Sequence, residues 1–385
     1  MAQTGTARLR WWSWVHTASS LACTLWLLLA CASGLPLVFA DEIEAWGQPP
    51  LQAGAAGAQA DIDGLVAEAL RRHPGQWPEY VVRDAEEPVV VVGLKPGPDA
   101  PAGQVHRLRF DARSGALVER VAAASQGLTV MQLLRGLHTD LFLGLGGGLF
   151  MGAMALLFVL ATVSGLVLYA PYMAGRRLGT VRRGRSRRIV WLDWHNLLGI
   201  VLVAWAVLVG VTGAFNQLAK PLFARWTQTE VLPLAQRLAA APEQATGAAR
   251  TPAATPAPGE WTSLRAAIAA AEQALPGTRI GTMLMPGSRY GSPHHYLLWA
   301  AGDSPLTARM LQPVLVDARS GALAGTVPMP WYLRTLELSR PLHFGDYGGL
   351  PLKLLWAAAD VGTLALLLGG LWLWVDRRRR GRPAR

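Results

Sequence analysis

Two stretches frame the reading of this chain: FDARSGALVERV at residues 110–121 and VDARSGALAGTV at residues 316–327. Each reads as strand, tight turn, strand, with an apolar run, then Asp-Ala-Arg-Ser-Gly, then a second alternating run. A shared heptapeptide in a chain rich in Ala, Gly and Arg can arise by chance, so the surroundings decide. They repeat as well. Upstream of each turn lies an amphipathic helix pattern ending in Pro-Gly, LVAEALRRHPG from Leu65 and LRAAIAAAEQALPG from Leu264. Between helix and turn come the strand-like runs EPVVVVGLK and HHYLLWAAG. Each segment predicts a small α+β unit, its helix against one face of an antiparallel sheet.

Outside these units the chain is too apolar for an ordinary soluble protein. Of its 385 residues 51% are apolar and only 16% charged. Crossing a bilayer takes roughly 20 apolar residues, and residues 12–40, 141–171, 191–220 and 346–375 each suffice. The net charge of +11 is confined: residues 1–11, 172–190 and 376–385 sum to +14, and the remainder to −3. Arginine excess in short segments abutting spans marks the cytoplasmic side, so these basic runs do not read as a nucleic-acid patch. The expected topology has both termini on the cytoplasmic side, with residues 41–140 and 221–345 on the outer side. Val38-Phe39-Ala40 resembles a signal-peptidase site, but the preceding apolar stretch exceeds the roughly 7–15 residues of a cleaved leader. The first span is expected to stay. Cys23 and Cys31 both lie inside it, and no CxxC or CxxCH occurs, which excludes thiolate metal sites and covalent haem.

The spans repeat with the units between them. His16 is followed by Trp26 and Gly34 at +10 and +18, and His195 by Trp205 and Gly213 at the same spacings. His138 has Gly165 and Tyr169 at +27 and +31, and His343 has Gly370 and Trp374. The expected fold is therefore an α-helical membrane protein of two parallel repeats, each span–domain–span, related by an axis along the membrane normal. Equivalent residues then face each other at one depth. A lone histidine at a span end is ordinarily an interfacial residue. Two matched pairs, His16 with His195 and His138 with His343, instead suggest two bis-His haems, one toward each side of a four-helix bundle. Counted along a continuous helix, His138 precedes the core of its span by about ten residues, roughly 15 Å, which would put the second haem at the surface. Trp11, Trp12, Trp14, Trp191 and Trp194 read as an interfacial belt.

Three further features stand out. Asp360 lies near the middle of the fourth span, where the matched residue is Ala155. It suggests a proton path, a quinol contact or a hydrogen bond to Ser or Thr on a neighbouring helix. Lys353 is close enough to the boundary to snorkel. Met283, Met285, His294 and His295 offer soft ligands, but His294 and His295 would point to opposite faces of a strand.

The segments LHTDLFLG, LHFGDYGG and WLDWHNLLG, with both DARSGAL hairpins, resemble the PepSY-associated transmembrane-helix proteins over almost the whole chain. That resemblance implies an iron-regulated inner-membrane protein with PepSY-like periplasmic domains. Among relatives of the FoxB type it implies a ferric-siderophore reductase holding two non-covalent haem b groups, here on His16, His195, His138 and His343. The expected substrate is a ferric siderophore or other ferric chelate, reduced so that Fe(II) is released. Its electrons would come from a quinol or a cytosolic flavoprotein, because no GxGxxG with its acidic partner is present. Two other readings stay open: a cytochrome b-like carrier serving a protein partner, and a non-redox membrane anchor whose PepSY domains regulate an extracytoplasmic peptidase.

Overall fold

The computed structural model describes residues 2–46, 60–83, 88–97, 100, 105–118, 129–240, 255–288, 291–304 and 307–380. Arg382 and Arg385 of the basic tail lie outside them. The chain forms two compact units, one of helices and one built on a sheet.

Among the described residues, the helical unit contains four helices long and apolar enough to cross a membrane, consistent with a multi-pass membrane protein. They are α1 (Ala2–Leu37), α5 (Gly144–Tyr172), α6 (Arg187–Asn216) and α11 (Gly349–Arg380). Contacts run α1–α5–α6–α11 and back to α1, closing a four-helix ring. Its interior holds Cys23, Leu27, Phe158, Ala206 and Leu367. Leu25, Leu156, Val201 and Leu368 point outward and are exposed, as lipid-facing positions should be. Trp11, Trp14, Trp191 and Trp194 are also exposed, in keeping with an interfacial belt. The short α2 (Ala40–Trp46) follows α1, and its Asp41 and Glu42 take the Lys353 ammonium of α11 at 3.5 and 2.8 Å.

Two shorter helices change the geometry expected at the second histidine pair. α4 (Val130–Thr139) begins at a reciprocal cap: Gln132 N–H donates to Thr129 Oγ1, and Thr129 N–H to Gln132 Oε1. It does not run on into α5. The chain reverses at Leu141 and Phe142, both in the left-handed region at φ 54° and 61°. Such backbone is costly for non-glycine residues. Here Asp140 Oδ1 accepts the Phe142 N–H, and the Phe142 ring lies where a Cβ on Gly136 would stand. α10 (Trp331–Phe344) likewise ends before α11, at Gly345 and Gly349 with φ 75° and 60°. His138 is thus folded back against α1, and the continuous-helix estimate does not hold. Sequence counting failed because Leu-Phe carries no breaker signature.

The sheet unit departs from two separate small domains. It contains α3 (Ile62–Arg72), β1 (Trp77–Arg83), β2 (Val89–Lys95) and β3 (His106–Asp111) from the first long segment. The second segment adds α7 (Ala219–Trp226), α8 (Leu232–Ala240), α9 (Leu264–Ala274), β4 (Thr278–Leu284), β5 (His295–Gly302), β6 (Gln312–Asp317) and β7 (Leu323–Thr326). All seven strands join one antiparallel sheet in the order β3-β2-β1-β4-β5-β6-β7. The junction is β1–β4, where Val81 faces Met283, flanked by Tyr80–Leu284 and Val82–Thr282. Joining there removes two exposed edges at once. α3 and α9 cover one face, burying Leu65, Ala69, Leu264 and Ala271 against Val92, Phe110, Leu298 and Val316. Trp226, Val231 and Leu333 cover Leu297, Trp299 and Leu315 on the other. That second cover is why β5 is buried on both faces rather than alternating.

The repeated heptapeptide has one physical job in both places. Asp111 Oδ1 accepts from Arg113 N, Ser114 N and Ser114 Oγ at 3.0, 2.6 and 2.9 Å. Asp317 Oδ1 accepts from the matching groups of Arg319 and Ser320 at 3.1, 2.7 and 2.7 Å. Gly115 and Gly321 close the turns at φ 71° and 72°, a conformation only glycine takes cheaply.

Candidate functional site

The four span-end histidines meet in the two pairs expected. His16 and His195 have ring centres 6.4 Å apart, and His138 and His343 6.2 Å. All four rings sit against a glycine, and three of them meet a carbonyl one turn before it. His16 Nδ1 lies 2.8 Å from the Ala161 carbonyl of α5, and Gly165, one turn on, leaves room for the ring. His138 Nδ1 lies 2.9 Å from the Ala30 carbonyl of α1, with Gly34 one turn on. His343 Nδ1 lies 3.1 Å from the Val209 carbonyl of α6, with Gly213 one turn on. His195 sits against Gly370 of α11, and its Nδ1 has no hydrogen-bond partner among the described residues.

The glycines are required by this packing. A Cβ at Gly34 or Gly213 would stand 2.8 Å from the imidazole Cε1, and at Gly165 or Gly370 3.1 Å. The glycines at +18 and +27 are therefore ring cradles, each for the other matched histidine of its half: Gly34 seats His138 and Gly165 seats His16, as Gly213 seats His343 and Gly370 seats His195. It is the imidazole, before any macrocycle, that needs the missing side chain. The carbonyl contact does a second job. Nδ1–H donating to a carbonyl fixes the tautomer and leaves the Nε2 lone pair for a metal.

Two imidazoles that each bind one metal at about 2.0 Å through Nε2, from opposite sides, have ring centres roughly 6 Å apart. Both pairs meet that spacing. Among the described residues no group of three or more His, Cys, Asp and Glu could hold a metal ion. Bare zinc or copper would want further protein ligands, whereas an iron porphyrin supplies its own in-plane donors. The residues present fit a bis-His haem at each pair.

Other matched positions do not converge on these pairs. Trp26 packs edge-on against Phe150, Trp205 borders the bundle core, and Trp374 lies under Arg378. Met283 and Met285 are buried in the sheet core, and His295 Nδ1 is 2.9 Å from Ser292 Oγ. No soft-metal site forms there among the described residues. Asp360 is buried, faces the Cys31 thiol, and its Oδ2 finds no partner among the described residues. No bond from it to Ser or Thr is seen there.

One site-adjacent residue escaped the sequence reading although it sits in WLDWHN. Asp193, two residues before His195, has a side chain 2% exposed. It accepts from Arg182 N, Nε and Nη2 at 2.9, 2.9 and 2.7 Å and from Tyr172 Oη at 2.8 Å. The loop after α5 is thereby tied to the first turns of α6. An acid placed just after a loop of seven arginines was the available signal.

Comparison with known proteins agrees with this architecture: the model of the PepSY-associated TM region matches residues 13–377. The chain belongs to the PepSY-associated TM family. An uncharacterized protein of Pseudomonas aeruginosa is 27% identical over 285 residues, covering 67% of this chain and 66% of that protein. The chain thus spans just under two thirds of that relative. Membership in the PepSY-associated TM family carries the span pattern, and the His–Gly geometry is this chain's own evidence about the site.

Proposed function

We propose that this PepSY-associated TM protein is an inner-membrane di-haem oxidoreductase that passes electrons across the membrane to a ferric siderophore or similar ferric chelate, releasing Fe(II). The observation that carries the reading is the pairing of imidazoles at 6.4 and 6.2 Å, each ring seated on a glycine. Haem bound between them would supply one-electron chemistry at iron. The chain's own work is positioning. Three histidines are locked by carbonyls of Ala161, Ala30 and Val209, and the apolar ring of helices keeps water away. His16 and Ala30 are fourteen residues apart on α1, so the pairs lie at levels about 21 Å apart. Two levels are what a route across a bilayer needs.

In this reading the molecule is a duplicated span–PepSY domain–span unit. The shared His–Gly offsets, the two alike Asp turns and the β1–β4 register centred on Val81–Met283 support it. The arginine-rich termini and the 172–190 loop face the cytoplasm. A quinol or a cytosolic flavoprotein is the proposed donor. Fe(III) reduction frees metal because hard oxygen chelators hold Fe(II) far more weakly. The test is to reduce the purified protein and follow re-oxidation spectroscopically on adding ferric chelates. Fast re-oxidation is expected. Indifference to every chelate by a protein that does contain haem would favour the carrier reading instead.

A further inference from the structure

The interior of the helical unit is nearly free of charge. Between Arg10 and Asp41 on the first span, throughout α5, and between Asp193 and Lys220 on the third, the sequence has no Asp, Glu, Lys or Arg. Asp360 is therefore the exception. It is 9% exposed, and its Oδ2 has no hydrogen-bond partner among the described residues. A carboxyl group held in such a place is costly unless it has a function.

Its surroundings place it beside the His138–His343 pair. Across from it on α1 is Cys31, the residue after Ala30, whose carbonyl meets His138 Nδ1 at 2.9 Å. On its own helix, one turn earlier, Trp356 Nε1 donates to the Leu342 carbonyl at 3.1 Å, next to His343. Asp360 lies about one helical turn, roughly 6 Å, along α11 from Trp356, and Cys31 beside it follows the Ala30 that meets His138. The charged and titratable groups around it are few. Cys31 faces it from α1, and on α6 the residues from His195 to Asn216 include none with charge. Within the helical unit α10 carries Arg340 and His343, and the following turn Asp346. Lys353, seven residues earlier on α11, is engaged by Glu42 and Asp41.

We infer that Asp360 is a proton-exchanging site that offsets the charge of each electron arriving at the His138–His343 pair. The inference rests on the haem reading above. Were haem held there, the Asp360 carboxylate would take one proton from solvent, forming an O–H bond, for each electron the site accepted, and would return that proton as the electron left. The electron comes from the quinol or reduced flavin proposed as donor, and from dithionite in the test. Adding an electron without a proton would raise the net negative charge of a low-dielectric interior, which is the more expensive course.

The experiment is a spectroelectrochemical titration of the full-length haem-loaded protein in lipid nanodiscs, repeated over a range of pH. His16→Ala, lacking the other pair, identifies which wave belongs to His138–His343. One proton per electron makes each tenfold change in proton concentration worth about 59 mV for that wave. The wild type is expected to approach this slope, Asp360→Asn to lose most of it, and Asp360→Glu to keep it at a shifted potential. Equal slopes in wild type and Asp360→Asn would overturn the inference. If Asp360→Asn does not assemble, Asp360→Glu decides: a potential unchanged at every pH would overturn it too. Absence of any wave from His138–His343 in the wild type would instead refute the haem reading.

Discussion

Filling a glycine cradle is the most searching perturbation of the proposed site, because it adds one methyl group and leaves every ligand in place. At Gly34 the new Cβ would stand 2.8 Å from His138 Cε1, and at Gly213 2.8 Å from His343 Cε1. Carbon atoms make contact at about 3.5–4.0 Å, so the imidazole must retreat by more than half an ångström. Retreat breaks the carbonyl contact that orients Nδ1 and moves Nε2 out of line with its partner ring. The effect on stability is small by comparison. Replacing glycine by alanine inside a helix gains about 1 kcal/mol, while overpacking costs about 1–3 kcal/mol, so the fold should lose no more than about 2 kcal/mol. Haem content, measured as pyridine haemochrome per chain, should fall by about half in Gly34→Ala and Gly213→Ala. Gly165→Ala and Gly370→Ala, with a 3.1 Å approach, should keep more. Gly146→Ala is the control, since its Cβ would meet nothing within 4 Å. Full stoichiometry and an unchanged spectrum in Gly34→Ala would refute the cradle argument.

Three other outcomes are expected. Any single His→Ala among the four should remove about half of the haem. His138→Ala with His343→Ala should be no worse than either alone, while His16→Ala with His343→Ala should remove all of it. Asp193→Asn should loosen the loop tied by Arg182, and because breaking one side of a buried ion pair typically costs about 3–5 kcal/mol, even a discounted loss should speed tryptic cleavage at Arg182 and Arg183 in proteoliposomes. The turn aspartates carry a pH signature. The Ser114 N–H, its hydroxyl and the Arg113 N–H hold the Asp111 carboxyl below the usual range, although burial opposes them. Burial is the largest influence on Asp317 and pushes it up, but the Ser320 and Arg319 donors together outweigh it. A lowered native pKa contributes stability above the ordinary Asp value of about 3.9 that is lost as pH falls through the native value. Asp111→Asn should therefore be less stable than wild type at neutral pH, with the gap closing in acid, as read by chemical denaturation.

How far the sequence revealed the molecule depended on the range of each interaction. The His–Gly spacings were legible because both halves carry them, but which ring each glycine seats was not, since every glycine cradles the other matched histidine of its half, on a different helix. The Asp-Ala-Arg-Ser-Gly turn was legible because its hydrogen bonds are local. The sheet junction was not, since β1 and β4 meet through apolar residues such as Val81 and Met283 that look like any strand. The reversal at Leu141–Phe142 was hidden because its residues are poor turn formers, held there by Asp140 and Gly136. Asp193 was overlooked because it was read as part of a family motif rather than as an acid beside a basic loop. Asp360 drew notice, but its neighbour Cys31 sits on a helix more than three hundred residues away in sequence.

A pyridine haemochrome assay on the purified full-length protein, with electron paramagnetic resonance of the oxidised form, bears most directly on the paired imidazoles. Two b-type haems per chain, both low-spin with two nitrogen axial ligands, are expected. Protein that folds with its four helices yet shows no Soret band, even after haem is supplied during expression, would contradict the assignment of all four histidines.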